Sequence, residues 1–436
     1  MKKHILLFLC FIFLLDTRAF AGKYESKDFI IYSDLNPRYV QFVEENAKAY
    51  QQCLQGQYFR KSWEKPLTIY YCESESEAKQ LLIQHGHKDG TVNCNYIADI
   101  PAIYAYRVSN DGQICGWGNM FHEITHYFVD QNFEKAPEWL SEGLSSFLGE
   151  QGEIVNGKLI VGEPKSRCTQ MLKDKIDEGL KLSIKHLLST SKEQLYEWSI
   201  GRQFSQMLFY WLYENGELEK YLENLQKNVY GPEVLEETVS KSSSRINNEL
   251  LKFIKKYCDV CTYLQDGLQT KDLAAKKHAF NKALELKPDC LTAQLELAKC
   301  YYQGKDYEKC LDNLKRILEH PKTIEYRRAA WLSGDSYYDM KKYKRALEYY
   351  NKAWEYSELY EYKYRLAYRI GNCCYYLKDL GGAKQWYEKF LACKWDGDTW
   401  GKQVEYAKKY IEYKDKAERE PNQPKEKIND SNEEEP

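Results

Sequence analysis

The sequence predicts an α+β protein in two parts, a small mixed sheet with helices followed by an all-α helical repeat. Short β-type runs alternate with helical segments early in the chain, which indicates a sheet covered by helices. From Gly118 onward the pattern is almost wholly helical. Beyond Leu264, similar residues recur at spacings of 34, 36 and 37 residues, which is typical of stacked helical pairs.

An apolar leader precedes both parts. After a basic start, Ile5–Leu15 is an apolar run of eleven residues, and Ala19-Phe20-Ala21 has the small-x-small pattern of a cleavage site. A permanent membrane-spanning helix needs about 20 apolar residues. We therefore predict a signal peptide over 1–21 and export to the periplasm or the medium, with a buried N-terminal helix as the alternative. The sequence predicts no stable membrane span.

Charge and cysteine content limit the function classes. The formal net charge is −2 at pH 7, which gives no electrostatic reason to expect nucleic-acid binding. Of fourteen cysteines, Cys10 lies in the leader, and the remaining odd number leaves at least one unpaired thiol in a monomer. Cys258 and Cys261 have the spacing of a redox pair but lack a thioredoxin-type βαβ context. We interpret them as buried small residues or one local bridge.

The first part, predicted as a domain over 22–256, contains compact β-type runs and longer helical segments. Glycine and turn signals separate these segments. The predicted elements are a strand at Phe29–Ser33, a helix at Tyr39–Tyr58, a strand at Leu67–Cys72, a helix at Ser74–Gly86 and a strand at Ala102–Val108.

The most informative motif is His122-Glu123-Ile124-Thr125-His126. Residues four apart lie on the same face of a helix, so His122 and His126 can bind one metal ion. Glu123 can take a proton from a water at that ion. With 8 histidines in 436 residues, about 0.01 such motifs are expected by chance in this composition. The motif therefore predicts a catalytic zinc site, which usually has a third protein ligand.

A second motif, Pro137-Glu138-Trp139-Leu140-Ser141-Glu142-Gly143, opens the next helix. It resembles the Trp-Leu-x-Glu-Gly signature of the gluzincin metallopeptidases, the clan that includes thermolysin and a family of aminopeptidases. The resemblance implies a zincin-like domain, Zn²⁺ as the cofactor and Glu142 as the third metal ligand. Glu138, one turn earlier on the same face, is the alternative ligand.

The resemblance covers roughly Ala102–Glu150 and does not extend to substrate choice. The Gly-x-Met-Glu-Asn motif with which the related aminopeptidases bind a free amine is missing, so an endopeptidase fits better. Related enzymes stabilise the oxyanion with a downstream Tyr or His. This implies such a role for Tyr196, with Tyr210 as another candidate and packing as the default role of either. Asp130 is a candidate for orienting a metal ligand, or else a solvated helix residue.

The second part, predicted as a domain over 257–414, contains the repeat. Its aligned positions are Leu264, Ala298, Gly334 and Gly371, followed sixteen residues later by Phe280, Leu314, Tyr350 and Tyr387. Small and aromatic residues at this spacing resemble the tetratricopeptide repeat. The resemblance implies stacked helical pairs with a concave groove for a protein partner, and a plain helical bundle is the alternative. Residues 415–436 carry no aromatic side chain and are predicted to be a disordered charged tail.

These observations together predict an exported zinc-dependent metallopeptidase. It would hydrolyse a peptide or protein substrate with Glu123 as general base, and the repeat domain would bind a partner or the substrate protein. One alternative is a tetratricopeptide-repeat binding protein whose zinc domain is inactive or structural. The other is a zinc amidase that acts on a non-peptide amide.

Overall fold

The computed structural model describes residues 20, 22–61, 65–87, 94–107, 117–155, 157–162, 166–198, 200–321, 323–356, 360–392 and 401–419. The chain divides into two compact units, Met1–Thr262 and Tyr263–Pro436. The predicted signal peptide over 1–21 lies almost wholly outside the described residues. In the part of the chain that is described, no helix is both long and apolar enough to cross a membrane.

The first unit contains a five-stranded mixed sheet. Its strands are β1 (Gly22–Glu25), β2 (Phe29–Ser33), β3 (Leu67–Cys72), β4 (Asn95–Ile97) and β5 (Ala102–Tyr106), in the order β1-β2-β3-β5-β4. The three inner strands are parallel, and each edge strand is antiparallel to its neighbour. The inner strands are those predicted from sequence. The edge strands were not predicted, because three or four residues carry too little pattern.

Two long helices build the platform for the metal-binding motif. Helix α1 (Pro37–Gln57) precedes β3, α2 (Glu75–Gln84) follows it, and α3 (Trp117–Asn132) follows β5. The Tyr50 ring of α1 stacks on Phe121 of α3 with centroids 4.0 Å apart. The buried Tyr50 hydroxyl also lies 2.7 Å from Thr125 Oγ1, inside the motif. Together, the ring and the hydroxyl fix α3 against α1.

The chain reverses after the motif through a short helix and a hairpin. Helix α4 (Glu138–Leu144) continues into a π-helical turn (Ser145–Gly149). Strands β6 (Gly152–Val155) and β7 (Lys158–Val161) then pair antiparallel. This hairpin is the exception in the described part of a chain that was predicted to be almost wholly helical after Gly118. An Asn-Gly dipeptide between apolar residues is a hairpin signal in sequence, and Gly157 adopts a positive φ of 67°.

Helices complete the first unit. They are α5 (Ser166–Asp177), α6 (Ile184–Ser189), α7 (Lys192–Glu197), α8 (Gly201–Glu214), α9 (Leu218–Leu225), α10 (Pro232–Val239) and most of α11 (Ser243–Gln269), whose last residues belong to the second unit. Helix α8 packs closely against α4, because a Cβ added at Gly143 would lie 2.1 Å from Ser205 Oγ. Cys258 and Cys261 are buried in α11, and burial raises the pKa of the Cys258 thiol to about 12. Such thiols are inert, which supports the interpretation of buried small residues.

The second unit is a helical repeat, as predicted. Its helices are α12 (Leu273–Leu286), α13 (Leu291–Gln303), α14 (Tyr307–Leu318), α15 (Ile324–Asp339), α16 (Tyr343–Glu355), α17 (Tyr360–Tyr376), α18 (Leu380–Ala392) and α19 (Gly401–Arg419). A Cβ at Gly334 would lie 2.5 Å from the Tyr350 ring, and one at Gly371 would lie 2.7 Å from the Tyr387 ring. The predicted small and aromatic columns therefore pack against each other. Helix α19 overlaps the predicted tail over 415–419, and the rest of the tail lies outside the described residues.

Candidate metal centre

Helix α3 carries both histidines, and the π-helical turn packs against the backbone of the first, His122. A Cβ added at Gly149 would lie 2.3 Å from the backbone N of His122 and 2.4 Å from its Cα. Glycine is thus the residue that allows the two backbones to approach. This contact places His122 next to the segment that follows α4, and so brings α3 and α4 together.

Three predicted ligands converge in the structure. His122 Nε2 lies 3.0 Å from His126 Nε2 and 3.7 Å from Glu142 Oε2, and His126 Nε2 lies 4.0 Å from Glu142 Oε1. Ligands about 2.0–2.1 Å from a tetrahedral ion are roughly 3.3 Å apart, close to these separations. Within the described ranges, these residues form the group of His, Cys, Asp or Glu side chains that could hold a metal ion.

The donor atoms also have the chemistry that a metal ion requires. Glu142 Oε2 is buried and accepts no hydrogen bond in the described part of the chain. The Arg202 guanidinium, with Nε 2.8 Å from this oxygen, compensates part of its charge, and the lone pairs that accept no hydrogen bond can still bind a metal ion. Two imidazole nitrogens and one carboxylate oxygen form a donor set that suits zinc. The three residues therefore fit a bound metal ion.

Two further side chains orient the histidines. The Nδ1 atom of His126 lies 2.7 Å from Ser141 Oγ, and Nδ1 of His122 lies 3.2 Å from Glu150 Oε1. A hydrogen bond on Nδ1 fixes the His126 ring so that Nε2 faces the ligand position, whereas Glu150 contacts His122 as an ion-pair partner without a hydrogen bond. Sequence analysis missed Glu150, because it lies at the end of the π-helical turn and belongs to neither motif.

Glu123 is held by the edge strand of the sheet. The backbone N–H of Tyr96 in β4 donates to Glu123 Oε2 at 2.8 Å. The Tyr96 hydroxyl donates to Asp130 Oδ2 at 3.0 Å, and its ring lies parallel to the His126 ring with centroids 6.4 Å apart. Asp130 therefore bonds to Tyr96, and the prediction that it orients a metal ligand stays a prediction.

Tyr196 of α7 lies at this site. Its hydroxyl is placed to donate to Glu138 Oε1 at 2.5 Å and to Glu142 Oε1 at 2.9 Å. The alternative ligand Glu138 also lies 3.2 Å from Lys192 Nζ, and in the described part of the chain it is Glu142 whose carboxylate converges with the two histidines. Tyr210 donates instead to the backbone oxygen of Gly162 at 2.8 Å. The structure thus brings Tyr196 next to the proposed third ligand and ties Tyr210 to the backbone.

Burial and neighbouring charges shift the pKa values of these groups. Burial raises the pKa of Glu123 to about 7, and burial together with His122 lowers the pKa of His126 to about 3. Burial also opposes charge on His122, but the close Glu150 carboxylate, 3.2 Å from Nδ1, and the other nearby carboxylates outweigh it and raise the pKa of His122. Burial disfavours the Glu142 carboxylate, yet His126 and Arg202 lower its pKa. The carboxylate ligand is therefore ionised and ready to bind a cation.

Comparison with known proteins gives little further information. No family model matches the chain. Among solved structures, the chain is similar to pilF of Pseudomonas aeruginosa, with 14% sequence identity and a TM-score of 0.30, over 48% of this chain and 92% of that one. A likeness this distant establishes neither a shared fold nor a shared activity. Function is therefore inferred from the side chains of the candidate metal centre.

Proposed function

We propose that the chain is a zinc-dependent metallopeptidase, more specifically an endopeptidase. The observation that supports this most strongly is the convergence of His122, His126 and Glu142, whose donor atoms lie 3.0 to 4.0 Å apart. Glu123 lies on the same helix and points its carboxylate to the β4 side of the cluster. Two histidines, a carboxylate and an adjacent acid are the parts that metal-assisted hydrolysis needs.

The chain's own residues would move the protons of the reaction. When bound, a zinc ion would polarise the scissile carbonyl and acidify a water molecule. Glu123 would remove a proton from the attacking water as its oxygen bonds to the carbonyl carbon. The same carboxyl would give that proton to the leaving nitrogen as the C–N bond breaks. The Tyr96 amide, which donates to Oε2 at 2.8 Å, would keep Glu123 in place through both transfers.

The substrate class, the role of the helical repeat and export are also proposals. The substrate would be a peptide or a protein, and the helical repeat of the second unit would bind the substrate protein or a partner protein. The chain would be exported after cleavage before Gly22. N-terminal sequencing of the protein recovered from outside the cytoplasm would test export, because a chain that still begins at Met1 would contradict it.

Incubation of unfolded casein with the purified protein tests the proposed peptidase function. We expect about one zinc ion per chain and cleavage that a chelator abolishes and zinc restores. Glu123→Gln should keep the zinc, since a glutamine oxygen can still accept from Tyr96. It should lose at least about 10²-fold in turnover, because the amide cannot take a proton. Casein cleavage by Glu123→Gln at the wild-type rate would contradict the mechanism.

The binding-protein alternative is supported by the helical repeat itself. In the described residues of the second unit, no cluster of metal-binding side chains accompanies the repeat. If the zinc domain were only structural, zinc would stabilise the chain, yet neither peptides nor other amides would be cleaved. Cleavage of a non-peptide amide without cleavage of casein would instead support the amidase alternative.

A further inference from the structure

Arg202 is a charged residue next to the candidate metal centre that neither motif contains. It is the second residue of α8, and its Nε lies 2.8 Å from Glu142 Oε2. Its side chain is 43% exposed, whereas that of Glu142 is 8% exposed. The guanidinium therefore lies beside the buried carboxylate and is itself partly open to solvent.

The hydrogen-bond donors of Arg202 are not committed to Glu142. Although Nε is 2.8 Å away, Glu142 Oε2 accepts no hydrogen bond, so the Nε–H does not point at that oxygen. A guanidinium carries five N–H donors and stays charged at any physiological pH. In the described part of the chain, Arg202 makes this ion pair and no hydrogen bond. Its donors thus remain available for an anionic group that forms beside Glu142.

Tyr196, to which the gluzincin resemblance gives the role of stabilising the oxyanion, is less available than Arg202 to donate to a substrate oxygen. Its one hydroxyl proton faces two carboxylate acceptors, Glu138 Oε1 at 2.5 Å and Glu142 Oε1 at 2.9 Å. To reach a substrate oxygen, Tyr196 would have to leave both carboxylates. Its contacts suit a group that holds Glu142 in place.

We propose that Arg202 is a catalytic residue that stabilises the oxyanion of the peptide bond under attack. The proposal rests on the peptidase function proposed above. As the water oxygen bonds to the carbonyl carbon, the carbonyl π pair moves onto its oxygen, and the N–H groups of Arg202 donate to the resulting negative charge. The pair returns when the C–N bond breaks and the leaving nitrogen takes the proton that Glu123 removed from water. Arg202 itself gains and loses no proton.

Kinetics of matched variants test the role of Arg202. Arg202→Met should keep zinc and KM but lower kcat by about 10²- to 10³-fold, the usual effect of losing an oxyanion donor. Added guanidinium ion should restore part of that loss. Tyr196→Phe should lower kcat by a smaller factor. Arg245→Met is the matched control, because Arg245 is an exposed residue of α11 whose ion pair is with Glu249, and its kcat should not change.

A binding measurement separates catalysis from positioning. Phosphinic pseudo-peptides carry an anionic tetrahedral group, whereas the same uncleaved peptides in a Glu123→Gln background have a neutral carbonyl. Arg202→Met should weaken phosphinic binding about as much as it lowers kcat and leave peptide binding nearly unchanged. If Arg202→Met instead loses zinc in step with activity, Arg202 only positions Glu142, and the proposal is overturned.

The remaining outcomes distinguish this proposal from the function on which it rests. If the wild type cleaves peptides and Arg202→Met cleaves them equally well, only the role of Arg202 is overturned. If Tyr196→Phe shows the larger loss and no guanidinium rescue occurs, Tyr196 is the oxyanion donor. A zinc-loaded wild type that neither cleaves peptides nor binds the phosphinic compounds overturns both proposals.

Discussion

Replacing Gly149 by alanine tests how closely the metal-binding helix is packed. The added Cβ would lie 2.3 Å from the backbone N of His122 and 2.4 Å from its Cα, where ordinary contact begins at 3.4 Å. Backbone atoms cannot rotate away as the end of a side chain can. The π-helical turn and α3 would therefore have to separate by about 1 Å to accept the methyl group.

The expected cost follows from two opposing effects. Overpacking of a close contact costs about 1–3 kcal/mol, and the better helix propensity of alanine offsets up to about 1 kcal/mol of it. We expect Gly149→Ala to lower the free energy of unfolding by about 1–2 kcal/mol. We also expect weaker zinc binding, since the separation would move His122 away from Glu150.

Urea unfolding and zinc titration of the purified variant measure both effects. Gly56→Ala is the matched control, because Gly56 is a helical glycine in α1 with no atom within 4 Å of an added Cβ. That control should keep its zinc affinity and its stability, or gain slightly in stability. Wild-type stability and zinc affinity in Gly149→Ala would show that the two backbones do not pack as closely as described.

Other substitutions test the ligand set and the second unit. Metal analysis should find zinc lost in Glu142→Ala and kept in Glu138→Ala, and the reverse result would make Glu138 the third ligand. Glu150→Gln should weaken zinc binding about 10- to 100-fold in a titration, because it loosens His122. An unchanged affinity would remove Glu150 from the site. Asp335 accepts a hydrogen bond from Tyr350, and burial raises the pKa of Asp335. The folded state therefore favours the neutral carboxyl group, and the protein loses stability as pH rises through that raised pKa. Asp335→Asn should therefore raise the unfolding temperature at pH 7 but not near pH 3, whereas a lower unfolding temperature at pH 7 would show that the ionised carboxylate is net stabilising.

The parts of the site that depend on local spacing could be predicted from sequence. His122 and His126 share one helix, so the spacing of four residues was enough to bring their Nε2 atoms within 3.0 Å. Glu142 depends on how α3 and α4 pack, which no local pattern specifies. Glu142 was predicted as a ligand from the resemblance to the gluzincins, and its carboxylate lies beside both histidines.

Two of the residues that sequence analysis missed, Tyr96 and Arg202, are brought in by distant segments. Tyr96 arrives on a three-residue edge strand, and Arg202 arrives at the start of a helix far along the chain. Short edge strands form because tertiary neighbours stabilise them, so their propensity signal is weak. The first helical repeat shows the same limit, because a Cβ added at Gly267, three residues after the aligned Leu264, would lie 2.5 Å from the Phe280 ring. The contact between two helices of a repeat determines which residue must be small. Aligning the repeats in sequence does not show that contact.

The source of the oxygen in the new carboxyl group tests the proposed hydrolysis most directly. Peptides are incubated in water enriched in oxygen-18 with the zinc-loaded wild type and with Glu123→Gln, and the products are weighed by mass spectrometry. We expect each new carboxyl terminus formed by the wild type to carry one oxygen-18 atom. The labelled products should form at least about 10²-fold more slowly with Glu123→Gln. Unlabelled products, no products from the wild type, or equal rates from both proteins would contradict a peptidase in which Glu123 activates water.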